Sequence, residues 1–107
     1  MTRQYELLGA SGARYRYLPL EEDRFLPSQA ANFVIARVAK DGSASLIYAG
    51  ETDNLANQAW RDTLAKARAD FPGAKILTRL NVTRAIREAE LGDLIEQHQP
   101  PMNQARG

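Results

Sequence analysis

The sequence predicts a small α/β (α+β) domain: a mostly antiparallel sheet, two main helices packed against it, and an N-terminal β-hairpin. Three observations lead there. Short β-prone runs come in pairs split by turn residues. Two longer stretches place apolar residues at helical spacing. The order hairpin, strand, strand, helix, strand, helix suits a sheet covered by helices.

Tyr5–Leu8 and Tyr15–Leu18 flank the turn signal Gly9-Ala10-Ser11-Gly12 and read as a hairpin. Pro19 stops the second strand. Leu20 to Ala31 is a connector rich in acids and broken by Pro27. Phe33–Val38 is nearly continuous apolar sequence, as expected of a strand buried on both faces. Lys40-Asp41-Gly42-Ser43 forms a turn, and Ser45–Gly50 pairs back as the next strand. Glu51-Thr52-Asp53-Asn54 then opens a helix, with Thr52 or Asp53 as its cap. Leu55, Ala56, Ala59, Trp60, Thr63, Leu64, Ala67 and Phe71 define the apolar stripe of that helix. Pro72-Gly73 ends it. Lys75–Leu80 is a third central strand. Thr83 can cap a last helix, from about Arg84 to His98, which Pro100-Pro101 terminates.

A chain of 107 residues is expected to form one domain, with a single modest core. Residues 1–30 form a hairpin and connector against a core of residues 31–103, followed by a tail of residues 104–107. Hydrophobic residues are 44% and charged residues 25%, the balance of an ordinary globular protein. The absence of cysteine excludes disulfides, a zinc finger and a thiol nucleophile, and fits a cytoplasmic location. No apolar leader and no membrane span are visible, so no membrane partner is expected. Fourteen basic residues against thirteen acidic ones leave a net charge of +1. Any grip on a polyanion must therefore come from a local patch.

Three segments in order resemble the GIY-YIG nuclease superfamily. Asn32-Phe33-Val34-Ile35 stands where the GIY strand would be. Ile47-Tyr48-Ala49-Gly50-Glu51-Thr52-Asp53-Asn54-Leu55 is similar to the YIG strand and the start of the first helix. Asp93-Leu94-Ile95-Glu96-Gln97-His98-Gln99-Pro100-Pro101-Met102-Asn103 is similar to the family's ending. Short bacterial single-domain members look closest. The resemblance implies an endonuclease fold in which a tyrosine hydroxyl activates water and an arginine steadies the phosphate. A glutamate holds one divalent metal there.

Carried over residue by residue, the resemblance implies a degenerate site. The first tyrosine falls at Phe33, or at Val34 with a shifted strand, and neither has a hydroxyl. The arginine position is Gln58, which lacks a guanidinium fork. The metal glutamate falls at Leu91. Tyr48 and Asn103 are retained, and both can serve structure alone: Asn103 by bonding its own backbone. At ~100° per residue, Leu91, Leu94, Ile95 and His98 share the arc that should face the sheet. Leu91 thus fills the place of a carboxylate, and no catalytic residue, metal or cofactor is expected.

The alternative is an active, Mg2+- or Mn2+-dependent endonuclease with relocated residues Tyr48, Arg61 and Glu90. Against it, Glu88 and Glu90 read as a solvated face paired with Arg84 and Arg87. Glu51 and Asp53 read as partners of a helix start. His98 reads as a dipole partner at a helix C-terminus, Trp60 as core, and the Ser11 loop as a plain turn.

Two binding functions compete with the enzyme. Arg61, Arg68, Arg84 and Arg87, expected on exposed helix faces, could hold DNA weakly and in a salt-sensitive way. A protein partner could instead dock on the old cleft or on the hairpin, through Tyr5, Tyr15 and Tyr17.

Overall fold

The computed structural model describes residues 4–20, 28–57 and 59–104. Most of the Leu20–Ala31 connector, Gln58 and the last residues of the tail lie outside the described residues. Five strands, β1 (Tyr5–Leu8), β2 (Arg14–Pro19), β3 (Ala31–Val38), β4 (Ala44–Thr52) and β5 (Lys75–Leu80), form one sheet in the order β1-β2-β5-β3-β4. Every neighbouring pair is antiparallel. The helices are α1 (Trp60–Asp70), α2 (Arg84–His98) and the short α3 (Pro101–Gln104).

The apolar run of the sequence becomes the middle of the sheet. Ala31 to Ala36 of β3 are all buried, between β4 on one side and β5 on the other. A strand there has both faces covered, so alternation disappears from its sequence. Strand periodicity still sorts its side chains. Ala31, Phe33 and Ile35 join Ile76 of β5 and Trp60, Leu64 and Ala67 of α1 in one cluster. Val34 joins Leu77 of β5, Tyr5 and Leu7 of β1, Tyr17 of β2 and Leu94 of α2 in the other. The two helices therefore cover opposite faces of the sheet.

The β3–β4 turn depends on backbone freedom. Gly42 has φ +90° and donates its N–H to the Ala39 carbonyl at 2.9 Å. The Asp41 carboxylate accepts from the backbone N–H and the hydroxyl of Ser43. Those two bonds, the backbone one foremost, hold the Asp41 carboxyl below its ordinary pKa.

The start of α1 differs from the sequence expectation. β4 continues through Thr52, and a 3-10 turn over Leu55–Asn57 precedes α1. Thr52 and Asn54 bond each other, Asn54 Oδ1 accepts from Ala56 N–H, and Asn57 Oδ1 accepts from Ala59 N–H. These bonds tie down the turn ahead of α1, which begins only at Trp60, so neither Thr52 nor Asp53 caps it, and Ala59 stands at its cap position with no side-chain bond. Thr83 does occupy the cap position of α2, but through its backbone: its carbonyl accepts from Arg87 N–H at 2.9 Å. Gln99, in the left-handed region at φ 46°, closes α2 before the prolines.

No described helix is long and apolar enough to cross a membrane.

Candidate functional site

Phe33 and Tyr48 meet on the α1 face of the sheet. Phe33 pairs across from Gly50, and Tyr48 from Ile35. The rings of Phe33 and Tyr48 lie 5.9 Å apart, tilted by 36°. Gly50 sits beneath both: a Cβ there would come within 2.8 Å of each ring. The glycine of the Tyr-Ala-Gly triplet is needed because two aromatic rings occupy the space a side chain would take. Tyr48 is half-buried over this apolar floor.

Leu91 is on the other side of the sheet. With Ile95 it packs against the cluster containing Leu94, Val34 and Leu77. The helical arc containing Leu91, Leu94 and Ile95 does face the sheet, but on the face opposite Phe33 and Tyr48. The positions matched to the nuclease motif do not converge on one cleft. The divalent metal of the nuclease family also finds no fit: leucine offers no oxygen, and the neighbouring Glu90 is directed elsewhere. Among the described residues, no three acidic or histidine side chains gather as a cation site.

Asn103 has a different role from the local one expected. Its side-chain oxygen accepts from Ala49 N–H at 2.8 Å, and its amide nitrogen donates to the Ala49 carbonyl at 2.9 Å. The side-chain amide thus substitutes for a neighbouring peptide on the outer margin of β4, 54 residues away in sequence. It fastens α3 to the sheet.

The most connected polar groups lie on the α2 face. Arg87 is only 3% exposed, which corrects its assignment to an exposed, DNA-facing surface. Its guanidinium donates to the carbonyls of Asn81 and Val82, and its Nε stands 3.6 Å from a Glu51 oxygen without a hydrogen bond. Asn32, fully buried within β3, donates to the Arg87 carbonyl and accepts from Asn81. Asn81 also donates to Glu90, whose oxygens accept from Arg79 Nε at 2.9 Å and a terminal nitrogen at 3.4 Å. That bond holds the Arg79 guanidinium above its ordinary pKa.

Glu90 is therefore not part of a solvated helix face; it pairs with a strand arginine. Tyr48 and Arg61 lie on the α1 side, so the structure does not bring Tyr48, Arg61 and Glu90 together. Glu51 likewise faces Arg87 rather than a helix start. Sequence reasoning missed this lattice, although Asn32 was the available signal. A polar residue entering a strand buried on both faces must find partners.

The other arginines each have a place. Arg84 pairs with Glu88 at 2.9 Å, as the helical spacing implies, and that bond raises the Arg84 pKa. Arg61 lies over the Trp60 ring at 4.6 Å, and Trp60 itself is core. Arg68 Nε donates to the Ala74 carbonyl, bracing the turn after α1.

The hairpin is fastened to α2 by Asp93. Its carboxylate accepts from Tyr15 Oη at 2.6 Å, Ser11 Oγ at 2.7 Å and Ser11 N–H at 2.8 Å. The Tyr15 and Ser11 bonds hold the Asp93 carboxyl below its ordinary pKa. The same bond to Asp93, first among the causes, raises the Tyr15 hydroxyl. Burial, the largest cause, raises Tyr17. The Ser11 loop is thus a docking turn. Tyr5 and Tyr17 are buried and Tyr15 is bonded to Asp93, so the hairpin tyrosines are turned inward rather than offered to a partner. His98 bonds the Leu8 carbonyl through Nε2 at 2.8 Å, joining the end of α2 to β1.

The large apolar side chains exposed among the described residues are Leu8, Leu18, Leu80, Val82 and Ile86, the last three close together in sequence. Leu80 is 58% exposed, Val82 84% and Ile86 49%, from the end of β5 to the first turn of α2. In comparisons with known proteins, no family model, no curated protein and no solved structure matches the chain.

Proposed function

We propose that this chain is a catalytically degenerate GIY-YIG-like domain that works as a binding module, and that its ligand is a protein. The observation that carries the choice of ligand is the exposed apolar stretch Leu80, Val82 and Ile86. Exposed apolar side chains that gather on a surface form the core of a docking patch, and Leu80 and Val82 line one pocket together. Degeneracy is supported by residue chemistry. Phe33 has no hydroxyl to activate water, and Leu91 is partly buried against apolar neighbours across the sheet. No step of phosphodiester cleavage is assigned to these groups. The absence of cysteine fits the cytoplasm, where we place the protein.

Nucleic acid receives less support as the ligand. Arg87 is buried, Arg84 is paired with Glu88, Arg61 rests on Trp60 and Arg68 braces a turn. Arg87 would have to leave the interior to meet a phosphate, and Arg84 would have to share its guanidinium with Glu88.

The test is affinity capture with the immobilised chain, run beside Val82→Asp, together with duplex-DNA titration by fluorescence anisotropy. A discrete protein bound by the parent and lost on Val82→Asp is the expected result. Tight DNA binding that disappears with Arg84→Ala, with no protein retained, would replace this reading with the nucleic-acid one.

A further inference from the structure

The sheet leaves two open margins, and they face one space. β1 and β4 stand at the two ends of the strand order and, among the described residues, each pairs with one strand only. Antiparallel alternation tells which backbone groups point outward. Gly9 N–H donates to the Ala13 carbonyl at 2.8 Å, so Gly9 faces β2. Leu8 then faces away, Leu7 faces its partner Tyr15, and Glu6 faces away again. At the start of β4, Ala39 N–H donates to the Ser43 carbonyl at 2.9 Å. Ala44 therefore faces away from β3, Ser45 toward it, and Leu46 away.

The margin of β4 already binds an amide. Beyond the register shift at Ile35 and Ala36, Ala49 also points outward, and the Asn103 side chain bonds both its N–H and its carbonyl. That is how an added strand would bond. Tyr5, Glu6, Leu7 and Leu8 of β1, with Gly42, Ser43 and Ala44 at the head of β4 and His98 at the end of α2, line one cavity of about 250 Å³. Successive antiparallel pairings make β1 and β4 run in the same sense. One strand running against both can therefore pair with both.

We propose that an extended segment of a protein partner adds as a strand between β1 and β4, displacing His98 from the Leu8 carbonyl and bonding the outward groups of Glu6, Leu8 and Ala44. The inference rests on the protein-binding reading, at a second surface. The recognised segment alternates in character. Its inward residues are apolar, beside Tyr5 and Leu7, which belong to the core on that face. Its outward residues are polar, with a basic one favoured beside the exposed Glu6 carboxylate, which Arg14 approaches only to 3.9 Å.

The probe is a capped peptide of about six residues that alternates valine with threonine and lysine. It is titrated into the full chain and followed by amide NMR and hydrogen exchange. The amides of Glu6, Leu8 and Ala44 are expected to shift, and their exchange to slow. N-methylation of alternate peptide nitrogens, which keeps every side chain, should weaken binding about tenfold or more. Glu6→Pro removes only an outward N–H and should do the same. Should that variant not fold, the N-methylated peptide decides alone. Equal binding of the N-methylated peptide, or unshifted amides at millimolar peptide, overturns the proposal. So does a dimer by sedimentation with the same amides protected, which names a second copy as the occupant. Val82→Asp should leave this peptide binding unchanged, so the two surfaces fail independently.

Discussion

Gly50 and Arg87 are the two positions at which single side chains most constrain this chain. The rings of Phe33 and Tyr48 leave no room for a Cβ at Gly50. Gly50→Ala is expected to destabilise the fold by about 1–3 kcal/mol, the usual penalty of overpacking. Urea denaturation checks it, and Tyr48→Ala in the same background should recover part of the loss. Arg87 is held by two carbonyls and faces Glu51. Arg87→Met leaves those carbonyls without their donor and Glu51 without its counter-charge. We expect a loss of about 3 kcal/mol or more in the same measurement. Lysine at this position should not restore stability, because it lacks the planar fork. A loss below about 1 kcal/mol would mean that the lattice relaxes without Arg87.

At the scale of elements, Asp93 joins the hairpin to α2. Its folded pKa lies below the ordinary carboxylate value. The stability it provides is complete above the unfolded pKa and is lost as pH falls through the folded one. Tyr15 behaves in the opposite sense: its raised pKa gives stability that is complete below the ordinary tyrosine value and lost as pH rises through the folded one. Protection of the β1 and β2 amides, their exchange relative to an unfolded chain at the same pH, should therefore fall in acid and in strong base. Asp93→Ala should flatten both limbs while raising exchange at neutral pH. If the hairpin amides exchange alike in parent and variant across the range, Asp93 does not fasten the hairpin.

For the whole molecule, charge sets the expected behaviour toward DNA. The net charge is +1, Arg87 is buried, and Arg61, Arg68 and Arg84 already make contacts with Trp60, Ala74 and Glu88. Duplex DNA should bind weakly, with a salt dependence equivalent to about two phosphates or fewer. Anisotropy titrations at several salt concentrations measure that slope. A slope several-fold steeper would reveal a basic surface that these internal contacts do not suppress.

Secondary structure was readable from the chain because it depends on local chemistry. The hairpin follows from a turn sequence between β-prone runs. β3 follows from an apolar run too short for a helix, and α2 from its periodicity and its prolines. The α1 entrance was misread because β4 runs on through Thr52 and a 3-10 turn over Leu55–Asn57 intervenes, and spacing alone does not separate that turn from the helix that follows.

The sequence by itself determined the α+β class, the strands and helices, and that Phe33 carries no hydroxyl and Gln58 no guanidinium. Only the tertiary structure decided that Leu91 and Tyr48 lie on opposite faces, that Arg87 is buried, and that Glu90 belongs to Arg79. The physical reason is that face and partner depend on how distant strands pair. A strand buried on both sides carries no alternation to say which residue points where. A charged side chain carries no mark of its partner until the sheet brings β4, β5 and α2 together.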